Sequence, residues 1–371
     1  MNEGDGMKMH IKDLETPFVF VDLNILKNNI AKMQKHLSNN NIKCRPHAKT
    51  HKIPAIAHMQ IDAGAVGITC QKLTEAEVMI NAGIKDILIP YNIVGKQKIS
   101  RLMRLVKQAK ITVTVDSEFT LRGINEAAKK EGLIVSILVE ADTGAKRAGV
   151  QTIEQAILLA ELIESLSNVQ FKGLLTFMGG APDNNFMAHI EYSSNFFKNF
   201  TEVLSGKGIS VETISSGGTV YANKAWPDYN PFGVTECRPG VYVYNDCVKV
   251  SFGVASYKDC AMKIVSTVVS RPTSDRAVLD AGSKTLTLAG SQWVEGFGHI
   301  IEYPKAKIVR LSEEHGISDF SACRRKPSIG EHVTIIPNYC NDVTNAHDLV
   351  YGVRNGHIET MWPVAARGKV L

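Results

Sequence analysis

Between about Ile42 and Val241 the chain alternates short apolar runs with amphipathic stretches, and this alternation restricts the fold more than any other feature. IKCRPHAK (42–49), GAVGITC (64–70), DILIPYNI (86–93), ITVTVD (111–116), LIVSILVEAD (133–142), VQFKGLLTF (169–177), VETISS (211–216) and a run near Val234–Val241 are eight strand candidates. The runs are continuous, as strands buried on both faces are. Helix candidates lie between most of them, such as Ile53–Ala63 and LTEAEVMINAG (73–83), the latter ending at a glycine suited to a C-cap. Eight βα units in roughly 200 residues predict an α/β fold of the TIM-type (β/α)8 barrel class, with a doubly wound sheet as the alternative.

After about Cys247 the texture changes. AMKIVSTVVS (261–270), RAVLD (276–280), AKIVRL (306–311), HVTIIP (332–337) and DLVYGV (348–353) read as strands, and Arg354-Asn355-Gly356 reads as a turn. A single core stops growing near ~250–300 residues, so a chain of 371 is expected to divide. The implied domains are a barrel over 18–245 and a β-rich domain made of 1–17 and 246–371. The run PFVFVD (17–22) is a strand whose membership the pattern leaves open.

Charge and cysteine content exclude several classes. The 42 Lys+Arg and 37 Asp+Glu leave a net charge of +5 spread along the chain, so no nucleic-acid partner is expected. No apolar stretch approaches the ~18–20 residues of a membrane span. The amino terminus lacks an apolar signal core and carries Glu3, Asp5 and Asp13. Seven cysteines with no CxxC pair read as free thiols, and a cytoplasmic enzyme is the expected class.

Four polar clusters could carry chemistry. His47, Lys49 and His51 fall on one face if Arg45–Lys52 is extended, which would put a lysine between two histidines at a barrel mouth. A desolvated lysine near other cations has a depressed pKa and suits imine chemistry; a solvated basic loop is the alternative. Ser215-Ser216-Gly217-Gly218-Thr219 follows the seventh barrel strand, where TIM barrels often bind phosphate, although a tight turn has the same composition. Arg147, in the loop after the fifth strand, offers a planar fork to an anionic oxygen, or is a surface charge. Cys340 with His347 and Asp348 invites a metal reading, but their spacing matches no ordinary zinc site.

These stretches resemble the fold-type III pyridoxal-phosphate enzymes, which include alanine racemase, and more closely the D-threonine aldolase and D-serine dehydratase family. PHAKTHK (46–52) resembles the segment with that family's Schiff-base lysine, which implies Lys49 in this role. DTGAKRAG (142–149) is similar to an Asp-Thr-Gly-x-x-Arg-x-Gly signature, implying that Arg147 contacts the cofactor's phenolic oxygen. SSGGT (215–219) resembles the phosphate loop, implying Ser216, Gly217, Gly218 and Thr219 as cofactor residues; Gly240, within the matching TECRPGVYVYND (235–246), joins them. LDAGSKTLT (279–287) and WPVAARGKV (362–370) also match, so the resemblance runs from about Thr16 to the carboxyl end.

One departure concerns metal. Metal-dependent relatives read Pro-Asn-His-x-Cys or Pro-Gly-His-x-Asp, and the same frame here, anchored on Pro337 and Asn345-Ala346-His347-Asp348, holds Tyr339 and Asn341. Both are poor substitutes for imidazole and thiolate or carboxylate, so no divalent metal is expected. The resemblance implies pyridoxal 5'-phosphate as cofactor, a small amino acid as substrate and a homodimer as assembly. It points first to aldol cleavage of D-3-hydroxy amino acids, with His47, His51 or Tyr339 acting on the hydroxyl. Dehydration, or racemisation with Lys49 and Tyr339 as two bases, is the alternative. A cofactor carrier with little turnover is weaker, since the small carrier proteins lack a carboxyl-terminal β-domain.

Overall fold

The computed structural model describes residues 9–179, 186–224 and 233–371. They form two compact units. One takes the residues up to Ala31 with Thr50–Ile53 and Val241–Arg367; the other takes Lys32–Lys49, Pro54–Gly240 and Gly368–Leu371. Strand β1 (Phe18–Asp22) leads into helix α1 (Leu23–Asn39), and the division falls inside that helix.

The second unit carries eight parallel strands: β2 (Lys43–Cys44), β3 (Ile68–Thr69), β4 (Asp86–Ile89), β5 (Lys110–Val115), β6 (Val135–Ala141), β7 (Val169–Thr176), β8 (Thr213–Ser215) and β9 (Glu236–Cys237). Each lies, to within a residue, in one of the eight apolar runs. Their order is β2-β9-β8-β7-β6-β5-β4-β3. A bridge between His47 and Thr69 joins the two ends, with Val66 N donating to Cys44 O at 2.9 Å and Thr69 N to Pro46 O at 2.8 Å. The ring is thereby closed, as the barrel reading expects. Ile87, Ile89, Val113, Val115, Ile137 and Val139 are fully buried, which explains why these strands read as unbroken apolar runs.

The helices are α2 (Pro54–Asp62), α3 (Leu73–Asn81), α4 (Lys96–Val106), α5 (Glu118–Glu131), α6 (Ile153–Glu164), α7 (Phe186–Gly206) and α8 (Thr219–Lys224). Their limits are set by local chemistry. Ser117 caps α5 by accepting from Thr120 N, and Gly132 ends it with a φ of 64°. Thr152 caps α6 by accepting from Gln155 N. At Gly173 in β7 the chain approaches β8 so closely that a Cβ would stand 1.9 Å from Thr213 O.

The β-rich unit is built around β1, which pairs antiparallel with β10 (Met262–Ser270) and parallel with a later strand. The others are β11 (Arg276–Leu279), β12 (His299–Ile300), β13 (Lys307–Leu311), β14 (Gly316–Asp319), β15 (His332–Ile336), β16 (Leu349–Arg354) and β17 (His357–Pro363). The order is β13-β14-β11-β10-β1-β16-β17, with β15 also on β10 and carrying β12. The run PFVFVD thus belongs to this sheet, and the expected boundary at 17/18 moves to 31/32. The reason is packing: Phe18 and Phe20 form one buried cluster with Val265 and Val353. Residues 1–8 of the expected amino-terminal piece lie outside the described residues.

All seven cysteines are free, six of them buried. Among the described residues no helix is long and apolar enough to cross a membrane.

Candidate active site

Because the barrel strands run in parallel, residues just past their carboxyl ends collect at one mouth. Lys49 is there, but not on an extended face. Strand β2 ends at Cys44, and Ala48–Thr50 is a turn of 3-10 helix, so the expected period-2 alignment of His47, Lys49 and His51 does not form. Pro46 and the bridge at His47 interrupt the strand before the lysine.

His47 is buried and holds the backbone around the lysine. Its Nδ1 accepts from Lys49 N at 3.4 Å, so Nε2 carries the proton given to Gln71 Oε1 at 3.0 Å. Gln71 N in turn donates to the buried Glu75 carboxylate at 2.6 Å. His51 is fully buried, with Nδ1 accepting from Ile53 N at 3.1 Å, and belongs to the β-rich unit. Of the three residues, only His47 and Lys49 are set in the barrel unit.

Burial is the main cause that lowers the Lys49 ammonium from 10.5 to about 8. The Arg147 charge lowers it further, Glu75 opposes, and Arg238 lowers it again. A neutral amine is thus accessible near neutral pH, as imine chemistry requires.

The loop after β6 explains its own sequence. Asp142 Oδ1 accepts from Gly144 N and Lys146 N at 3.0 Å, and Oδ2 accepts from Arg147 N at 3.1 Å. A Cβ on Gly149 would meet Asp142 N at 2.6 Å, so the last glycine of the signature is needed for close packing. The loop presents Arg147 half exposed, with its guanidinium carbon 4.6 Å from the Phe177 ring centroid and one nitrogen 3.7 Å from Glu140. Glu140 is buried, accepts from Thr114 Oγ1 at 3.1 Å, and has its carboxyl pushed up by burial against the opposing pull of Arg147.

After β8, Ser216 is fully buried and, among the described residues, its hydroxyl has no hydrogen-bond partner. An unmet buried hydroxyl costs about 1–3 kcal/mol, so a bound group that hydrogen-bonds to it would be stabilised. Gly217 has a φ of 81°, which frees the backbone to turn around that point. Thr219 is buried at the start of α8, and Gly240 is half-buried beyond β9. Lys49, Arg147, Ser216, Gly217, Gly218 and Thr219 thus offer an amine, a cation and a small hydroxyl-lined loop. That set fits a phosphorylated aldehyde such as pyridoxal phosphate.

Sequence reasoning missed the charged residues on β9. Arg45 Nε donates to Glu236 Oε2 at 2.6 Å, and Ser215 Oγ donates to Glu236 Oε1 at 2.7 Å. Arg238, itself buried, donates to Ser215 Oγ and to Thr176 O at 2.6 Å each. Charged residues on or next to an apolar strand, such as Glu140, Glu236 and Arg238, were the available signal, since unpaired they could not be buried.

Tyr339 and Asn341 lie in the β-rich unit, where Cys340–Ala346 is a short helix. Cys340 N donates to Asp246 Oδ2 at 3.2 Å, which anchors the helix start. Asn341 Nδ2 donates to the Tyr339 oxygen at 3.1 Å, and burial raises the phenol's pKa, which keeps it protonated. A neutral phenol and an amide do not fit a divalent ion. Among the described residues no group of three His, Cys, Asp or Glu side chains could hold one.

Comparison with known proteins agrees along nearly the whole chain. The family model described as alanine racemase, N-terminal domain, matches residues 21–247, and a serine dehydratase domain model matches 261–353. A 3-hydroxy-D-aspartate aldolase from Paracoccus denitrificans is 31% identical, with 97% of this chain and 94% of that protein covered. A D-threonine aldolase from Arthrobacter is 30% identical, with 96% and 93% covered. The crystal structure of D-threonine aldolase from Filomicrobium marinum superposes with a TM-score of 0.88 at 31% identity, covering 98% of this chain and 99% of that one. The chain belongs to the family defined by the alanine racemase amino-terminal barrel, in the branch whose D-threonine and 3-hydroxy-D-aspartate aldolases share its full length.

Proposed function

We propose that this protein is a pyridoxal 5'-phosphate-dependent lyase that cleaves D-3-hydroxy amino acids to glycine and an aldehyde. One observation carries the reading: Lys49, lowered to about 8, stands with Arg147 in the same barrel unit as the partnerless, buried Ser216 hydroxyl. When bound, the cofactor supplies an electron sink for the charge that develops at Cα.

The chain's own residues divide the remaining work. Lys49 would offer the neutral amine that holds the cofactor through its aldehyde, and His47 fixes the lysine's backbone. Arg147 neutralises an anionic oxygen at the mouth. Ser216, Thr219 and the backbone around Gly217 and Gly218 would hold the phosphate, whose charge can be buried only when it is hydrogen-bonded. A base would take the hydroxyl proton as the Cα–Cβ bond breaks, and one proton would return to Cα, so D-threonine would yield acetaldehyde and glycine. Tyr339 and Asn341 do not fit a metal, and no step is assigned to one.

Dehydration is a second reading, supported by the serine dehydratase match over 261–353. We further propose a cytoplasmic homodimer, which rests on the resemblance and the seven free thiols; sedimentation equilibrium tests the assembly. The activity is tested by product analysis with D-threonine, with and without EDTA. Glycine in both samples supports a metal-independent aldolase. Glycine lost with EDTA and restored by one divalent ion would overturn the metal assignment. No glycine in either overturns aldol cleavage; 2-oxobutanoate then identifies the dehydratase and L-allothreonine, the product of inversion at Cα alone, a racemase.

A further inference from the structure

The side-chain amide of Gln71 can take only one orientation. Gln71 follows β3, and its Nε2 donates to Pro90 O, just past β4, at 3.3 Å. A carbonyl oxygen only accepts, so a flipped amide would set two oxygens against each other. Oε1 therefore faces His47 Nε2 as an acceptor, at 3.0 Å. The backbone beneath is fixed as well, because Gln71 N donates to the buried Glu75 carboxylate at 2.6 Å.

That orientation dictates the state of the histidine. An acceptor opposite Nε2 calls for a proton there, and a neutral imidazole then has a bare Nδ1. Nδ1 is the atom that accepts from Lys49 N, at 3.4 Å. The other tautomer would aim a lone pair at Gln71 Oε1 and an N–H at the Lys49 N–H, and the imidazolium would fail at the second contact in the same way. His47 is buried and Ala48, between it and the lysine, is fully buried, so a ring turned away from Lys49 would have to displace packed side chains.

We infer that Gln71 is a positioning residue for Lys49 that acts through His47. The amide held by Pro90 fixes the imidazole tautomer, and the tautomer fixes the turn carrying the lysine. The inference rests on the reading of Lys49 as the amine that takes up the cofactor. Pro90, Gln71, His47 and Lys49 all belong to the barrel unit, so the relay is complete within it. An amine misplaced by about 1 Å loses much of its approach to a bound carbonyl, which is what the relay prevents.

Nitrogen NMR of the cofactor-free chain, with labelled imidazoles and His47 assigned by its absence in His47→Asn, reads the tautomer directly. The parent protein should show a protonated Nε2 and a bare Nδ1. A protonated Nδ1 at neutral pH overturns the inference, even if no variant folds. Gln71→Met keeps the side-chain length and removes both amide groups. It should give His47 mixed tautomers and weaken uptake of pyridoxal 5'-phosphate, read as imine absorbance, by roughly threefold to tenfold. His47→Asn keeps an acceptor where Nδ1 stood but has no tautomer, so in that background Gln71→Met should add less than about twofold. Equal losses in both backgrounds, or unchanged uptake in folded Gln71→Met, overturn the inference. An imine that persists in Lys49→Ala overturns the lysine reading and the role built on it, a failure distinct from a wrong tautomer, which is read without cofactor.

Discussion

Arg238 gives one guanidinium N–H to the hydroxyl of Ser215 at 2.6 Å, and that hydroxyl passes its own proton to Glu236 at 2.7 Å. Ser215 is fully buried, so the two charges are linked through one oxygen inside the barrel. Glu236 extends the chain to Arg45, which also reaches Asp86 at 2.5 Å. Replacing Ser215 by Ala leaves an Arg238 donor and a Glu236 acceptor unmet. The expected cost is about 1–3 kcal/mol in urea denaturation of the cofactor-free chain. A loss below about 0.5 kcal/mol would show that the two charges pair directly without the hydroxyl.

Covalent uptake of an aldehyde by Lys49 should rise with pH around a midpoint near 8, not near the ordinary 10.5. The sign follows from burial, which disfavours the ammonium, so the folded chain releases a proton that the unfolded chain still binds. For the same reason Lys49 makes folding less favourable at low pH, and this penalty fades as pH rises from about 8 toward 10.5. Arg147→Met removes a like charge and should move the midpoint upward. Absorbance of the imine across pH reads both, and a midpoint above 10 in the parent protein would refute the assignment.

Ser216→Ala separates folding from cofactor binding. The hydroxyl is buried and unpartnered, so its removal should leave the cofactor-free protein as stable as before or slightly more so. Affinity for pyridoxal 5'-phosphate should fall by roughly tenfold, the equivalent of one hydrogen bond to a charged group. Equal affinity in both proteins would mean that this oxygen does not meet the phosphate.

Gly173 and Gly132 both have positive φ, at 133° and 64°, but only one is crowded. A Cβ on Gly173 would stand 1.9 Å from Thr213 O, whereas nothing lies within 4 Å of one on Gly132. Gly132→Ala should cost about 1–2 kcal/mol, the ordinary price of a left-handed residue. Gly173→Ala should cost several kcal/mol more, since β7 and β8 must part. Thermal melts of the two variants test the contrast; equal melting temperatures would contradict it.

Much of the barrel was legible because its signal is local. Strands buried on both faces need continuous apolar runs, and all eight runs became strands in the expected order. The helix between β5 and β6 announced its ends through Ser117 and Gly132. In the β-rich unit, β12 has two residues and β14 reads Gly-Ile-Ser-Asp, too little for a periodic pattern. β17 follows Asn355 and Gly356, whose φ values of 51° and 81° make the tight hairpin turn, but its exposed alternation does not stand out.

What the sequence alone determined is the set of chemical groups and their order along the chain: the lysine after the first barrel strand, the arginine loop, the serine-glycine turn and the replaced metal positions. Only the tertiary structure decided their partners. Strand β1 joined the β-rich sheet because its phenylalanines pack with residues more than 240 positions away, at Val265 and Val353. The turn at Ala48–Thr50 set Lys49 apart from His51, and the Glu236–Ser215–Arg238 link required β8 and β9 to lie side by side. Pairing between distant segments depends on which surfaces exclude water together, and a linear pattern does not carry that information.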